Sequence, residues 1–118
     1  MSRSPVIRIV WAGCLAVGTT THALTLLRYG WAWDYGGVPV WVARFWTSLV
    51  AVDPAVVALL FIRPAIGVWA TVALMVADVS INVWVIASYG GTLWMVLTQA
   101  VFLLFVLATA RLALPGKS

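Results

Sequence analysis

The sequence predicts an all-α, polytopic membrane protein: an antiparallel bundle of four transmembrane helices. Three observations carry this. The 118-residue chain is 64% hydrophobic and only 8% charged, where a soluble domain is roughly one quarter charged. Its mean hydropathy is +1.09. Its apolar residues also fall into four runs, each near the roughly 20 residues that a membrane-crossing helix needs. Such a chain has too few polar groups to cover a water-soluble globule, and disordered chains have the opposite composition. Four spans and their connections occupy residues 1–118 as one domain. No length remains for a soluble catalytic domain.

The spans follow in order from their breakers. The first is expected at about 6–27, after Ser4-Pro5 and before Arg28-Tyr29-Gly30. The second is expected at about 39–62 and the third at about 64–88, with Arg63-Pro64 between them. Proline at a first-turn position loses no helical hydrogen bond. Tyr89-Gly90-Gly91 makes the next tight turn, and a fourth span at about 92–112 runs toward Pro115-Gly116. The one real loop, 29–38, is rich in glycine and aromatics. A faint echo links Arg28-Tyr29-Gly30 to Ser88-Tyr89-Gly90, with His22 and Asn82 equally far before the two glycines.

Charge predicts orientation. Arg3, Arg8, Arg63, Arg111 and Lys117 fall on one side and Arg28 and Asp34 on the other. Cationic loops stay cytoplasmic. Both termini are therefore expected in the cytoplasm, and the aromatic loop outside. Trp31, Trp33, Tyr35 and Trp41 read as an interfacial belt, and Arg44 can snorkel to the same boundary. The net charge of +4 is scattered singly, so no nucleic-acid partner is expected. Abundant Ala, Val, Arg and Trp beside a single Lys point to a GC-rich bacterial genome and hence to the bacterial inner membrane. Ala12-Gly13-Cys14 hints at a cleavage site, but the apolar run continues past it for a full span. The first span is therefore expected to stay attached.

The informative residues are polar ones inside the spans. Asp53 and Asp78 each lie ten residues from a span end, about 15 Å deep and near the midplane. A carboxylate there costs roughly 2.5–3.5 kcal/mol, so each should be neutral, hydrogen-bonded or facing water. Asp78 and Asn82 share a face, continued by Met75, Val85 and Tyr89. Cys14, Gly18, His22, Thr25 and Tyr29 line another, and Thr92, Met95 and Gln99 a third. Trp46 and Asp53 share a face of the second span. These groups gather in the outer half, while the inner half is nearly all Ala, Val, Leu and Phe. The expectation is a polar pocket closed toward the cytoplasm and open outward or sideways into lipid.

Each group also has a purely structural reading. Asp53 precedes Pro54, which frees the carbonyl of Val50 and disfavours helix at Asp53, so its carboxyl can serve the kink. Asn82 and Gln99 can be interhelical glue. Thr19, Thr20 and Thr21 can back-bond to their own helix. Trp46, Trp69 and Trp84 can pack or face lipid, and Cys14 can be a small packing residue.

Several chemistries are excluded. One histidine cannot form a bis-histidine haem site, one cysteine cannot form an intramolecular disulfide, and no paired-histidine spacing supports a metal on His22 and the two aspartates. No phosphate loop, dinucleotide fingerprint or serine elbow occurs. No cofactor is expected. What remains is acid–base work or proton-linked transport.

Four runs carry a resemblance. They are Phe45-Trp46-Thr47-Ser48-Leu49, Asp53-Pro54 onward to Arg63-Pro64-Ala65-Ile66-Gly67-Val68, Met75 to Asn82, and Phe102 to Ala110. Over most of the chain they resemble a group of small bacterial four-helix membrane proteins, which implies a fold and no activity. More distantly, the layout is similar to the emopamil-binding (EXPERA) family. There, a bundle with a histidine in the outer part of its first span holds sterol-like ligands over membrane acids. The resemblance implies those parts for His22, Asp53 and Asp78, although that family's glutamates are absent. Small multidrug transporters also have four spans, but their first-span glutamate is missing here too.

The leading expectation is therefore an isoprenoid- or sterol-like ligand in the outer half. Asp78 would be the acid and His22 or Asp53 the base of an isomerisation or cyclisation. Asn82, Gln99, Trp46, Trp84 and Tyr89 would contact the ligand. The alternatives are a non-catalytic accessory or assembly subunit and a small proton-coupled transporter. The lipid bilayer is the expected partner, and small-residue helix faces allow a homodimer.

Overall fold

The computed structural model describes residues 3–116. These form four helices: α1 (Ser4–Tyr29), α2 (Val40–Ile62), α3 (Pro64–Tyr89) and α4 (Leu93–Ala113). At 1.5 Å per residue they are about 32–39 Å long. All four are long and apolar enough to cross a membrane. Each helix bound lies within two residues of an end of the corresponding apolar run. Lys117, used above to infer orientation, lies outside the described residues.

Local chemistry explains the helix ends. Proline stands in the first turn of both α1 and α3, where its fixed φ favours helix. Gly30 and Gly90 end the same two helices at φ +83° and +82°. Their N–H groups donate to the carbonyls of Leu26 and Ile86. Only glycine enters that backbone region without penalty. The two 26-residue helices are thus built alike at both ends. Helix α2 runs unbroken through Pro54.

Arg63 alone separates α2 from α3, and Gly67 makes the join possible. A Cβ at Gly67 would lie 2.5 Å from the backbone nitrogen of Leu60. No side chain fits there.

Helix α1 packs on α2 and α4, and α3 packs on the same two, with the α1–α4 seam the sparsest. One apolar cluster fills the bundle near the chain ends, with Trp11, Leu60, Val68, Val106 and Ala113 fully buried. There α1 is tied to α4. Ser4 donates to the carbonyls of Leu112 and Leu114, Arg8 to that of Ala113, and Trp11 Nε1 to Thr109 Oγ1 at 3.0 Å. Among the described residues, every side-chain hydrogen bond between α1 and α4 lies at this end. The exterior is apolar, with Leu27 83%, Val17 67% and Leu104 66% exposed.

Candidate functional site

Beyond the apolar cluster, two adjoining cavities occupy the rest of the bundle. The deep one, about 500 Å³, is walled by Cys14, Gly18 and His22 of α1, Asp53 of α2, Asp78 of α3 and Gln99 of α4. The loop-side one, about 420 Å³, is walled by Tyr29, Trp33, Tyr35, Trp46 and Asn82. Thr21, His22, Met95 and Gln99 border both, so the two form one cleft. Ligand sites span roughly 300–1,000 Å³. The sparse α1–α4 seam borders both cavities.

Asn82 organises the wall. Its carbonyl Oδ1 accepts Trp46 Nε1–H at 2.7 Å. Its Nδ2 donates to Asp78 Oδ1 at 3.1 Å and to Gln99 Oε1 at 2.5 Å. One carboxamide therefore joins α2, α3 and α4, and all its hydrogen-bonding groups are engaged.

Asp53 differs. It is buried, with 6% of its surface exposed. Its Oδ2 stands 4.0 Å from His22 Nε2, an ion-pair separation longer than a hydrogen bond. No hydrogen bond reaches it among the described residues. The carboxyl therefore does not serve the backbone around Pro54, the structural role the sequence allowed it. It faces α1 at Gly18, where a Cβ would approach Oδ2 to 3.1 Å. Glycine there gives the carboxyl its place in the cavity.

Thr19, Thr20, Thr21 and Thr25 all donate to carbonyls one turn back in α1. Above them the aromatic loop folds inward. Tyr29 and Trp33 stack at 3.8 Å between centroids, Trp33 meets Tyr35 at 4.4 Å, and Tyr35 meets Trp46 at 4.9 Å. Gly36 N–H donates to Asp34 Oδ1 at 3.0 Å and holds the turn.

The structure brings His22, Asp53, Asp78, Asn82, Gln99 and Trp46 to this cleft. Trp84 and Tyr89 do not line it. Trp84 is two positions past Asn82, so it points about 200° around the helix. It packs on Trp41 and Tyr89 on the exterior. Trp33 and Tyr35, expected as belt residues, also wall the loop-side cavity. Their loop position gave no hint of that, because a loop has no helical periodicity to read. Among the described residues no cluster of three metal-ligating side chains occurs. Among the described residues no arginine or lysine lines either cavity. The cleft can thus exchange protons at three groups and attract positive charge.

No family model, curated protein or solved structure matches this chain.

Proposed function

We propose that this chain is a multi-pass protein of the bacterial inner membrane. Its helices cross antiparallel, with both termini cytoplasmic, and an isoprenoid- or sterol-like ligand enters sideways between α1 and α4. The observation that carries this reading is the cleft itself. It is lined by apolar and aromatic side chains together with two carboxyls, an imidazole and two carboxamides, and it borders the sparse α1–α4 seam. The apolar exterior and four long apolar helices support the membrane setting.

The same three groups suit acid–base isomerisation. Asp78 gives a proton to one carbon of a double bond, and His22, paired with Asp53, removes another from a neighbouring carbon, leaving no net proton change. The packed apolar cluster around Trp11, Leu60 and Val106 closes the opposite end and weighs against a transport path. A second reading draws on Asn82, whose bonds to Trp46 and Gln99 are also what helix glue in an accessory subunit would make.

The test is mass spectrometry of small molecules that co-purify with wild type and Asp78→Asn in mild detergent. A specific apolar molecule, near-stoichiometric in wild type and lost in the variant, is expected. Only bulk lipid in both samples would favour the accessory subunit.

A further inference from the structure

We infer that the exterior of the bundle, at its loop end, holds the headgroup of a zwitterionic phospholipid in preference to an anionic one. The site consists of Trp41 and Arg44 of α2 with Trp84 and Tyr89 of α3. Because α1 and α3 each pack on α2 and α4, this α2–α3 face lies opposite the α1–α4 seam. The site is therefore separate from the cleft and from whatever the cleft holds.

The three rings form one exposed group. Trp41, Trp84 and Tyr89 are 54%, 43% and 53% exposed. Trp41 and Trp84 lie 5.6 Å apart between centroids, and Tyr89 stands 5.8 Å from Trp84 at an interplanar angle of 72°. The steep angle makes a corner of π surface, which attracts ammonium groups. Arg44 follows Trp41 by three residues and so shares its face of α2. Helical side chains lean toward the N-terminus, which carries the guanidinium up α2 toward Trp41. Its Cα lies about 6 Å below the first residue of α2, within reach of the headgroup layer.

Arg44 is exposed, and among the described residues it has neither an ion pair nor a hydrogen bond. Asp34, the loop's acid, accepts the Gly36 N–H instead. An arginine in an apolar span needs an anion, and at this depth a bilayer supplies phosphate, which guanidinium binds through paired N–H groups. The indole N–H groups of Trp41 and Trp84 also lack partners among the described residues, unlike those of Trp11 and Trp46. They remain as donors for phosphate or ester oxygens. Arg44 alone would favour an anionic lipid, and the rings reverse that order. A zwitterionic head carries an ammonium on a short ethylene tether from its phosphate, beside the rings. Phosphatidylglycerol and phosphatidic acid offer the rings no cation.

The test is native mass spectrometry of the full chain in mild detergent, with equimolar phosphatidylethanolamine, phosphatidylglycerol and phosphatidic acid of identical acyl chains. Phosphatidylethanolamine is expected to be retained about fivefold over either anionic lipid, the factor that about 1 kcal/mol of cation–π attraction gives. Arg44→Gln should lose the bound lipid of every class, and Arg44→Lys, which keeps the charge without the paired N–H groups, should weaken retention. Trp84→Leu should keep a lipid and lose the preference. Trp31, 72% exposed in the loop, is the control, and Trp31→Leu should change neither. Asp78→Asn should leave phosphatidylethanolamine bound. Preference for an anionic lipid, or undiminished retention in Arg44→Gln, overturns the inference. So does an equal effect of Trp31→Leu, which would make the preference a property of any interfacial tryptophan. Loss of the lipid in Asp78→Asn would move it into the cleft and overturn the exterior site.

Discussion

Gly18 and Asp53 meet across the α1–α2 interface so closely that a single methyl group on Gly18 would stand 3.1 Å from the carboxyl oxygen. Asp53 keeps its place in the cavity because α1 has no side chain there. Gly18→Ala should therefore displace the carboxyl by a few tenths of an ångström and weaken ligand retention. The stability change should stay within about 1 kcal/mol, since alanine also favours helix over glycine. Quantifying co-purified ligand beside thermal unfolding separates the two effects. A large loss of stability with ligand retained would contradict this account.

Asn82→Leu should cost about 1–3 kcal/mol, because Trp46 Nε1–H, Gln99 and Asp78 each lose a partner. Interhelical hydrogen bonds in membranes average nearer about 0.6 kcal/mol each, which sets the lower bound. Unfolding by denaturing detergent, combined with Trp46→Phe in a double-mutant cycle, measures the coupling. Strictly additive variants would mean that the 2.7 Å bond contributes nothing.

Gly67→Ala should be among the most damaging single changes. Its Cβ would enter backbone atoms of Leu59 and Leu60 at 2.7 Å or less, and backbone cannot rotate away as a side chain can. A loss of at least about 2–3 kcal/mol is expected from such overpacking. Gly13→Ala, with nothing within 4 Å of the added carbon, is the matched control and should be neutral or slightly stabilising. Similar unfolding midpoints for the two variants would refute the close approach.

Two tryptophans separate cleft from exterior. Trp46→Ala should reduce ligand retention severalfold, since aromatic contacts and cation–π pairs contribute roughly 0.5–2 kcal/mol. Trp84→Ala should leave retention unchanged, because Trp84 packs outward on Trp41 and Tyr89. Retention assays on the two purified variants decide the point, and equal losses would place the ligand elsewhere.

Much of this arrangement was legible in the residues. Composition and four apolar runs are enough for four long helices. Pro64, Gly30 and Gly90 mark ends because their backbones allow little else. Helical spacing correctly put Cys14, Gly18 and His22 on one face and Asp78 and Asn82 on another. Spacing could not separate Trp84 and Tyr89 from the cleft residues, because an aromatic face toward the cleft and one toward the exterior carry the same pattern. Spacing was silent on Trp33 and Tyr35, whose direction depends on a loop held by Asp34.

The sequence by itself determined the elements and the position of each polar group along its helix, because helix length, breakers and rise per residue are local properties. Only the tertiary structure decided which groups meet. Asn82 reaches Trp46 and Gln99, and Asp53 lies between Gly18 and His22 of α1. Those facts depend on how each helix is rotated about its axis. Rotation is set by packing at contacts such as Gly67 against Leu60, which involve residues that periodicity alone cannot pair.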